Sequence, residues 1–203
     1  MTDVAHESRR RRNRRHSREM IERNYHCRGW ISPYRHYQDA LAALLGPGRR
    51  VLDVGCGRTF PMADRLRRTG ADVHGLDPVA EPDSAPAGVT LVRGSAEANP
   101  YPEATFDVVC SQAVMEHCRR PEEVFAEFAR VLRPGGHLVF LTAGRYDYVS
   151  ILAGLVPNRL HGRLVEATEG RAEADTFPTY FRANSRRRVR RLARKTGFDV
   201  ARL

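Results

Sequence analysis

Five short apolar runs punctuate the middle of the chain, and stretches with helical spacing lie between them. Arg50–Val54, Asp72–Leu76, Val89–Val92, Phe106–Ser111 and His137–Thr142 are rich in β-branched or aromatic residues and bounded by turn formers, which predicts strands. Pro61–Arg68 and Pro121–Leu132 read as helices, and a further short helix is expected near Ala113–His117. Upstream, Trp30, Tyr34, Tyr37, Leu41, Leu44 and Leu45 recur at helical spacings until Gly46-Pro47-Gly48 breaks the run. That pattern predicts a helix packed across the mouth of a sheet. Downstream, a helix over Ser185–Thr196 can start on Asn184 or Ser185 as cap and stop at Gly197. Its apolar stripe, Val189, Leu192 and Ala193, is narrow and suits packing on a sheet, and Phe198–Leu203 reads as a sixth strand. Strands alternating with helices argue for an α/β fold, a doubly wound and mostly parallel sheet with helices on both faces. Right-handed crossovers then bring every strand's C-terminal end to one rim. No internal repeat is visible.

Composition narrows the class. The chain has 203 residues, 41% hydrophobic and 29% charged, enough for one core of ordinary size. No apolar run approaches the ~20 residues of a membrane span, and the polar N-terminus lacks the apolar stretch of a secretory signal. Cys27, Cys56, Cys110 and Cys118 have neither Cys-x-x-Cys pairing nor zinc-like spacing, so they read as reduced thiols of a cytoplasmic protein. No metal site is expected; Glu116-His117-Cys118 is too compact for one.

The net charge of +10 sits at the ends: +4 in residues 1–23, +8 in 182–203 and −2 in the body between them. Residues 1–22, with Arg9–Arg12, Arg14 and Arg15, read as a disordered Arg-rich arm, and residues 23–203 as the folded domain. The arm and the basic helix can touch RNA or an anionic membrane, but a solvated tail and a solvent face explain them more simply. The near-neutral body argues against a general nucleic-acid binder.

Val51-Leu52-Asp53-Val54-Gly55-Cys56-Gly57 carries the chemistry. A buried strand runs into a glycine turn where a ligand can approach the main chain closely. Asp53 ends the strand, where a carboxylate can accept hydrogen bonds from an ammonium group. A dinucleotide fingerprint would need a third glycine where Phe60 stands, and a phosphate loop would need Gly-Lys-Ser/Thr in place of Arg58-Thr59-Phe60-Pro61. Asp53, Gly55 and Gly57 resemble motif I of the class I S-adenosylmethionine-dependent methyltransferases, Asp-x-Gly-x-Gly-x-Gly, with Thr59 in place of the last glycine. Leu132-Arg133-Pro134-Gly135-Gly136 before an apolar strand is similar to a second motif of that family, of type 11-like members, and its role there is structural. The resemblance implies a Rossmann-like sheet with S-adenosylmethionine as methyl donor.

The same rim supplies further candidates. Asp77 ends the second strand 22 residues after Gly55, the place from which a carboxylate grips ribose hydroxyls; Pro78 follows it, so a plain turn is the alternative. The family resemblance places Ala96 and Glu97 by the adenine amino group and Gln112 and Ala113 by the methionine portion, with Cys56 inside the glycine turn. Phe106 and Asp107 are expected to be structural. His117 can act as general base for a hydroxyl acceptor, or can simply shape the pocket. The family's last antiparallel strand is missing, so the chain is a fragment, or its sheet edge is completed by another chain, or the sheet is shorter.

Residues 143–181 carry Tyr146, Tyr148, His161, Phe177, Tyr180 and Phe181 without periodicity. Thr176–Asn184 reads either as an acceptor wall or lid, with Arg182 offered to an anionic group, or as a loop pinned by its aromatics. The leading expectation is methyl transfer to a small-molecule, lipid-linked or sugar-linked acceptor. Two alternatives stand: RNA or protein methylation guided by the basic termini, and a non-catalytic binding protein of nucleotide fold.

Overall fold

The computed structural model describes residues 31–58, 60, 62–144 and 177–203. The Arg-rich arm, Cys27, Trp30, Thr59, Pro61, Tyr146, Tyr148, His161 and Thr176 lie outside them. The chain divides into two units: Met1–His36 with Tyr148–Pro178, and Tyr37–Asp147 with Thr179–Leu203. Of the first, only residues 31–36 and 177–178 are described, so the account below is of the second.

The elements run α1 (Pro33–Leu44), β1 (Arg50–Val54), α2 (Ala63–Arg67), β2 (Asp72–Asp77), a short 3-10 turn (Pro82–Ser84), β3 (Val89–Arg93), β4 (Phe106–Gln112), α3 (Pro121–Val131), β5 (Leu132–Leu141) and α4 (Arg186–Lys195). All five strands are parallel, in the order β3-β2-β1-β4-β5. β1 is central and buried on both faces, which is why Val51, Leu52 and Val54 are apolar without alternation, with the buried Asp53 the exception. The chain winds outward from β1 to β3, then crosses back to place β4 on the other side of β1. The gap between β1 and β4 is therefore the topological switch point, where open α/β sheets take their ligands.

Side chains alternate between two layers. Leu52, Val54, Leu76 and Val109 face α3 and α4 through Phe125, Phe128 and Leu192. Val51, Val73, Val108 and Cys110 face α1 and α2 through Tyr37, Leu41 and Leu66. Helices thus cover both faces, as the alternation predicts. α1 lies on a face of the sheet, with Tyr34 exposed and Tyr37 and Leu41 buried. In α4, Ser185 is the N-cap, accepting from the Arg188 amide, and all three stripe residues are buried.

Three expectations need correction. No helix forms over 113–117; Ala113 has φ +57, and i→i+3 bonds from the amides of His117 and Cys118 make turns instead. The step Arg133–Gly136 is not a turn outside the sheet but a bulge within β5, since Phe106 pairs with Leu132 and Val108 with His137. Phe198–Leu203 forms no strand: the Phe198 amide bonds the Ala193 carbonyl and its ring packs edge-on against Phe125, turning the chain toward α3.

Asp107 holds that bulge. One carboxylate oxygen accepts from the Arg50 amide at 2.8 Å and from Arg133 Nη1 at 3.0 Å, and the other from Arg49 Nη1 at 3.4 Å. Burial pushes this carboxyl up, but the Arg50 amide and the two guanidinium groups prevail and hold it below the usual range. Its stabilisation is therefore present above the unfolded carboxyl pKa and lost as pH falls through the folded one. Asp107→Ala is expected to lower stability by about 2 kcal/mol at neutral pH and by much less in acid, read by urea denaturation. Equal losses at both pH values would refute this role.

Candidate active site

The site grows from the turn after β1. Gly55 and Gly57 both adopt positive φ, +81° and +76°. At Gly55 the conformation is compounded by contact, because a Cβ there would lie 2.0 Å from Val114 Cγ2. The turn is tied to its neighbour strand: the Gly55 amide donates to the Leu76 carbonyl at 2.7 Å. The Gly57 amide donates to Asp77 Oδ2, and the Val79 amide to Asp77 Oδ1, both at 2.9 Å. Asp77, only 5% exposed, thus organises the glycine turn as well as ending β2. A carboxylate has about four lone-pair sites, so acceptor capacity remains for a ligand's hydroxyls.

Phe60 explains why no third glycine is needed. It is buried at φ +48, and its ring lies so close to Gly75 that a Cβ there would meet Phe60 Cε1 at 2.7 Å and Cys56 Sγ at 2.8 Å. The close approach a fingerprint glycine gives the helix is supplied here by a glycine inside β2.

Asp53 is 4% exposed and faces the α1 side of the sheet. Its Oδ1 accepts from the Cys110 thiol at 3.6 Å, and among the described residues no cation pairs with it. Burial pushes its carboxyl up to about 7; the Cys110 bond opposes this and the nearby Asp77 charge adds to it. The Tyr37 hydroxyl is buried beside these groups without a hydrogen bond of normal geometry, and burial raises its pKa strongly.

The remaining candidates take their places around the rim. Cys56 is buried within the turn, and Pro78 is exposed after β2. Ala96 is buried and Glu97 half-buried after β3, with Glu97 Oε2 accepting from Ser95 Oγ at 2.6 Å. Gln112 is half-buried at the end of β4, and the exposed Ala113 bonds its amide to the Leu141 carbonyl at 2.8 Å. His117 is half-buried at the end of the turn that starts at Ala113.

Two features escaped the sequence. The buried Glu116 accepts from Thr142 Oγ1 at 2.8 Å, and Asn184 Nδ2 donates to Thr142 Oγ1 at 2.8 Å and to the Ala143 carbonyl at 2.6 Å. The amides of Tyr180 and Phe181 also donate to the Glu116 carbonyl. This network fastens the 180–184 segment to the turn that carries His117. A cleft of about 430 Å³ opens beside it, lined by Tyr180, Phe181, Arg182, Asn184, Ser185 and Arg188. Arg182 donates to the Arg119 carbonyl and lies over the Tyr180 ring, so it holds the segment together. The second is Ser111 Oγ, a buried hydroxyl without a partner near the end of β4.

Strand order 3-2-1-4 sets the rim groups in a line: Glu97, then Asp77, then the glycine turn with Asp53, then Gln112 and Ala113. Asp53 is a buried acid on this line without a cationic partner among the described residues. A glycine turn at the switch point of a doubly wound parallel sheet, flanked by acids on two strands, defines a nucleoside-binding α/β domain. More particularly, the chain carries the domain of the class I S-adenosylmethionine-dependent methyltransferases, whose methyl donor is S-adenosylmethionine: the profile described as "Methyltransferase domain" matches residues 52–140.

Relatives agree. The ubiquinone biosynthesis O-methyltransferase of Vibrio cholerae is 39% identical over 110 residues, covering 48% of this chain and 43% of that protein. The protein of the same name from Paracidovorax citrulli is 34% identical over 164 residues, covering 70% and 63%. The chain thus spans less than two thirds of these relatives' length. An S-adenosylmethionine-dependent methyltransferase of Thermotoga maritima shares the fold with a TM-score of 0.53 at 22% identity, over 81% of this chain and 70% of that one. The YcgJ protein of Bacillus subtilis shares it at 0.51 and 23% identity, over 68% and 62%. No helix among the described residues is long and apolar enough to cross a membrane.

Proposed function

We propose that this protein transfers a methyl group from S-adenosylmethionine to the hydroxyl of a small-molecule, lipid-linked or sugar-linked acceptor. The observation that carries the reading is the linear order of Glu97, Asp77, Asp53 and Gln112 across the switch point. The relatives' O-methyltransferase names favour oxygen as the accepting atom. When bound, the donor supplies an already activated methyl, so the protein's task is to hold the nucleophile in line behind it. In this reading Asp53 holds the donor's ammonium, and Asp77 binds the ribose hydroxyls while fixing the turn. Ala96 and Glu97 border the adenine, and Gln112 and Ala113 border the methionine portion, with Cys56 and Pro78 flanking the cradle. His117 takes the proton from the acceptor hydroxyl, and the Glu116–Thr142–Asn184 network fixes the turn on which it sits. The buried free thiols of Cys56, Cys110 and Cys118 support a reducing, cytoplasmic setting.

Calorimetry with S-adenosylmethionine and S-adenosylhomocysteine tests the donor site, and absence of binding would sink the reading. Turnover of labelled donor against a metabolite extract, with mass detection, identifies the acceptor. His117→Ala is expected to lower kcat by roughly 10²–10⁴-fold while donor affinity stays unchanged. A variant with normal kcat would show that His117 only shapes the pocket.

A further inference from the structure

Ten residues of α4 carry six arginines and one lysine, and the fold uses only one of them. Arg188 pairs with Glu122 of α3. Val189, Leu192 and Ala193 are sealed into the core, at 6%, 1% and 4% exposure. Arg186, Arg187, Arg190, Arg191, Arg194 and Lys195 are exposed and line a shallow trough of about 600 Å³ by themselves. Among the described residues none of these six has an ion-pair partner.

The helix alone does not explain this face. Arg186 and Arg190, Arg187 and Arg191, Arg190 and Arg194, and Arg191 and Lys195 are like charges one turn apart, an arrangement that destabilises a helix. The first turn contains no acid, so Arg186 and Arg187 also oppose the positive end of the helix dipole. Core packing needs only the opposite face. An external polyanion would relieve both penalties, and arginine's planar fork suits phosphate oxygens.

We propose that the exposed face of α4 is a docking surface for the anionic headgroups of a phospholipid bilayer. Three observations favour a bilayer. The trough is lined by cations alone, with no aromatic or amide group to stack on or read a base. With its apolar flank buried, the helix cannot enter a groove, and it presents a face roughly 14 Å long along its axis, suited to a plane of phosphates. The body of the chain, residues 24–181, is net −2, so the α4 face is not part of a generally positive surface. Since Val189, Leu192 and Ala193 stay in the core, the contact is superficial and salt-sensitive, without insertion of apolar side chains. This inference does not depend on the methyl-transfer reading.

The test is co-sedimentation of the full chain with phosphatidylcholine vesicles, with and without phosphatidylglycerol, across a salt series. The wild type is expected to bind only the anionic vesicles and to be released by salt. The triple variant Arg187→Gln, Arg190→Gln, Arg191→Gln is expected to bind roughly a hundredfold more weakly, at about fivefold per arginine near an anionic surface. Its thermal stability should be equal or higher, since like-charge contacts are removed, and donor binding by calorimetry should be unchanged. Lysine at the same three positions should retain most of the binding. If the triple variant misfolds, Arg191→Glu alone, which gains Arg187 and Lys195 as partners, takes its place. Equal binding to both vesicle types, or undiminished binding by the glutamine variant, overturns the proposal. So does retention of a mixed-sequence RNA by the wild type at salt that releases it from vesicles, with that retention lost in the variant.

Discussion

Replacing Asp77 with alanine is expected to weaken S-adenosylmethionine binding by at least about a hundredfold and to destabilise the fold by about 3 kcal/mol. Both effects follow from one carboxylate. Its oxygens accept from the Gly57 and Val79 amides, each at 2.9 Å, in a site only 5% exposed. Each charge-assisted bond is worth about 1.5–3 kcal/mol, and their loss leaves two backbone donors without a protein acceptor. Gly57 then has nothing to hold it at φ +76, and the turn that fits the donor loses its shape. The proposed contact to the ribose hydroxyls disappears as well. Asp77→Asn should rescue poorly, because its amide nitrogen must face one of the two backbone N–H groups. Calorimetry and urea denaturation together check this, and an alanine variant with unchanged donor affinity would refute the site as drawn.

What could be read from the sequence depended on the range of the forces involved. β1 emerged with its bounds intact, because a central strand buried on both faces is mostly apolar, here Val51, Leu52 and Val54 around the buried Asp53, and runs into glycine. The cap and buried stripe of α4 were equally legible, being local. Asp77 was recognisable as the acid that ends β2, yet its hold on Gly57 was not, since that bond joins residues that meet only after β1 and β2 pair. The substitution of Gly75 for a fingerprint glycine was hidden for the same reason: nothing in the spacing says that Phe60 will lie on β2. The Glu116–Thr142–Asn184 network joins three segments across steps of 26 and 42 residues, through side chains common in any loop. Phe198–Leu203 shows local preference losing to packing, as Phe198 is drawn onto Phe125 and the apolar pattern behind it finds no ladder. Motifs mark which residues lie on the rim; the bonds that make it rigid are long-range.

The buried acid at the end of β1 gives the second large effect. Burial disfavours the charged form of Asp53 and pushes its carboxyl up from an ordinary 3.8 to about 7 in the folded chain. The folded state therefore holds this proton more tightly than the unfolded state. The resulting stabilisation is fully present below the unfolded value and is lost as pH rises toward about 7. At about 1.4 kcal/mol per pH unit, the ligand-free protein should lose roughly 4 kcal/mol across that window from this group alone. Asp53→Asn removes the titration while keeping an acceptor for the Cys110 thiol. The variant should be more stable than the wild type above pH ~7, by up to ~4 kcal/mol, and should lack the wild type's loss from this group between pH ~4 and ~7. Donor binding should move the opposite way. A cationic ligand end needs the carboxylate ionised, so wild-type affinity should fall about tenfold per unit below pH ~7, and the asparagine variant should bind weakly at every pH. Urea titrations and calorimetry at about pH 5 and about pH 8 separate these outcomes. A wild type whose stability and donor affinity are both indifferent to pH would mean that Asp53 is neither strained when ligand-free nor the partner of the ammonium. The expected result instead joins the two: the carboxylate that weakens the empty fold is the one that binds the donor.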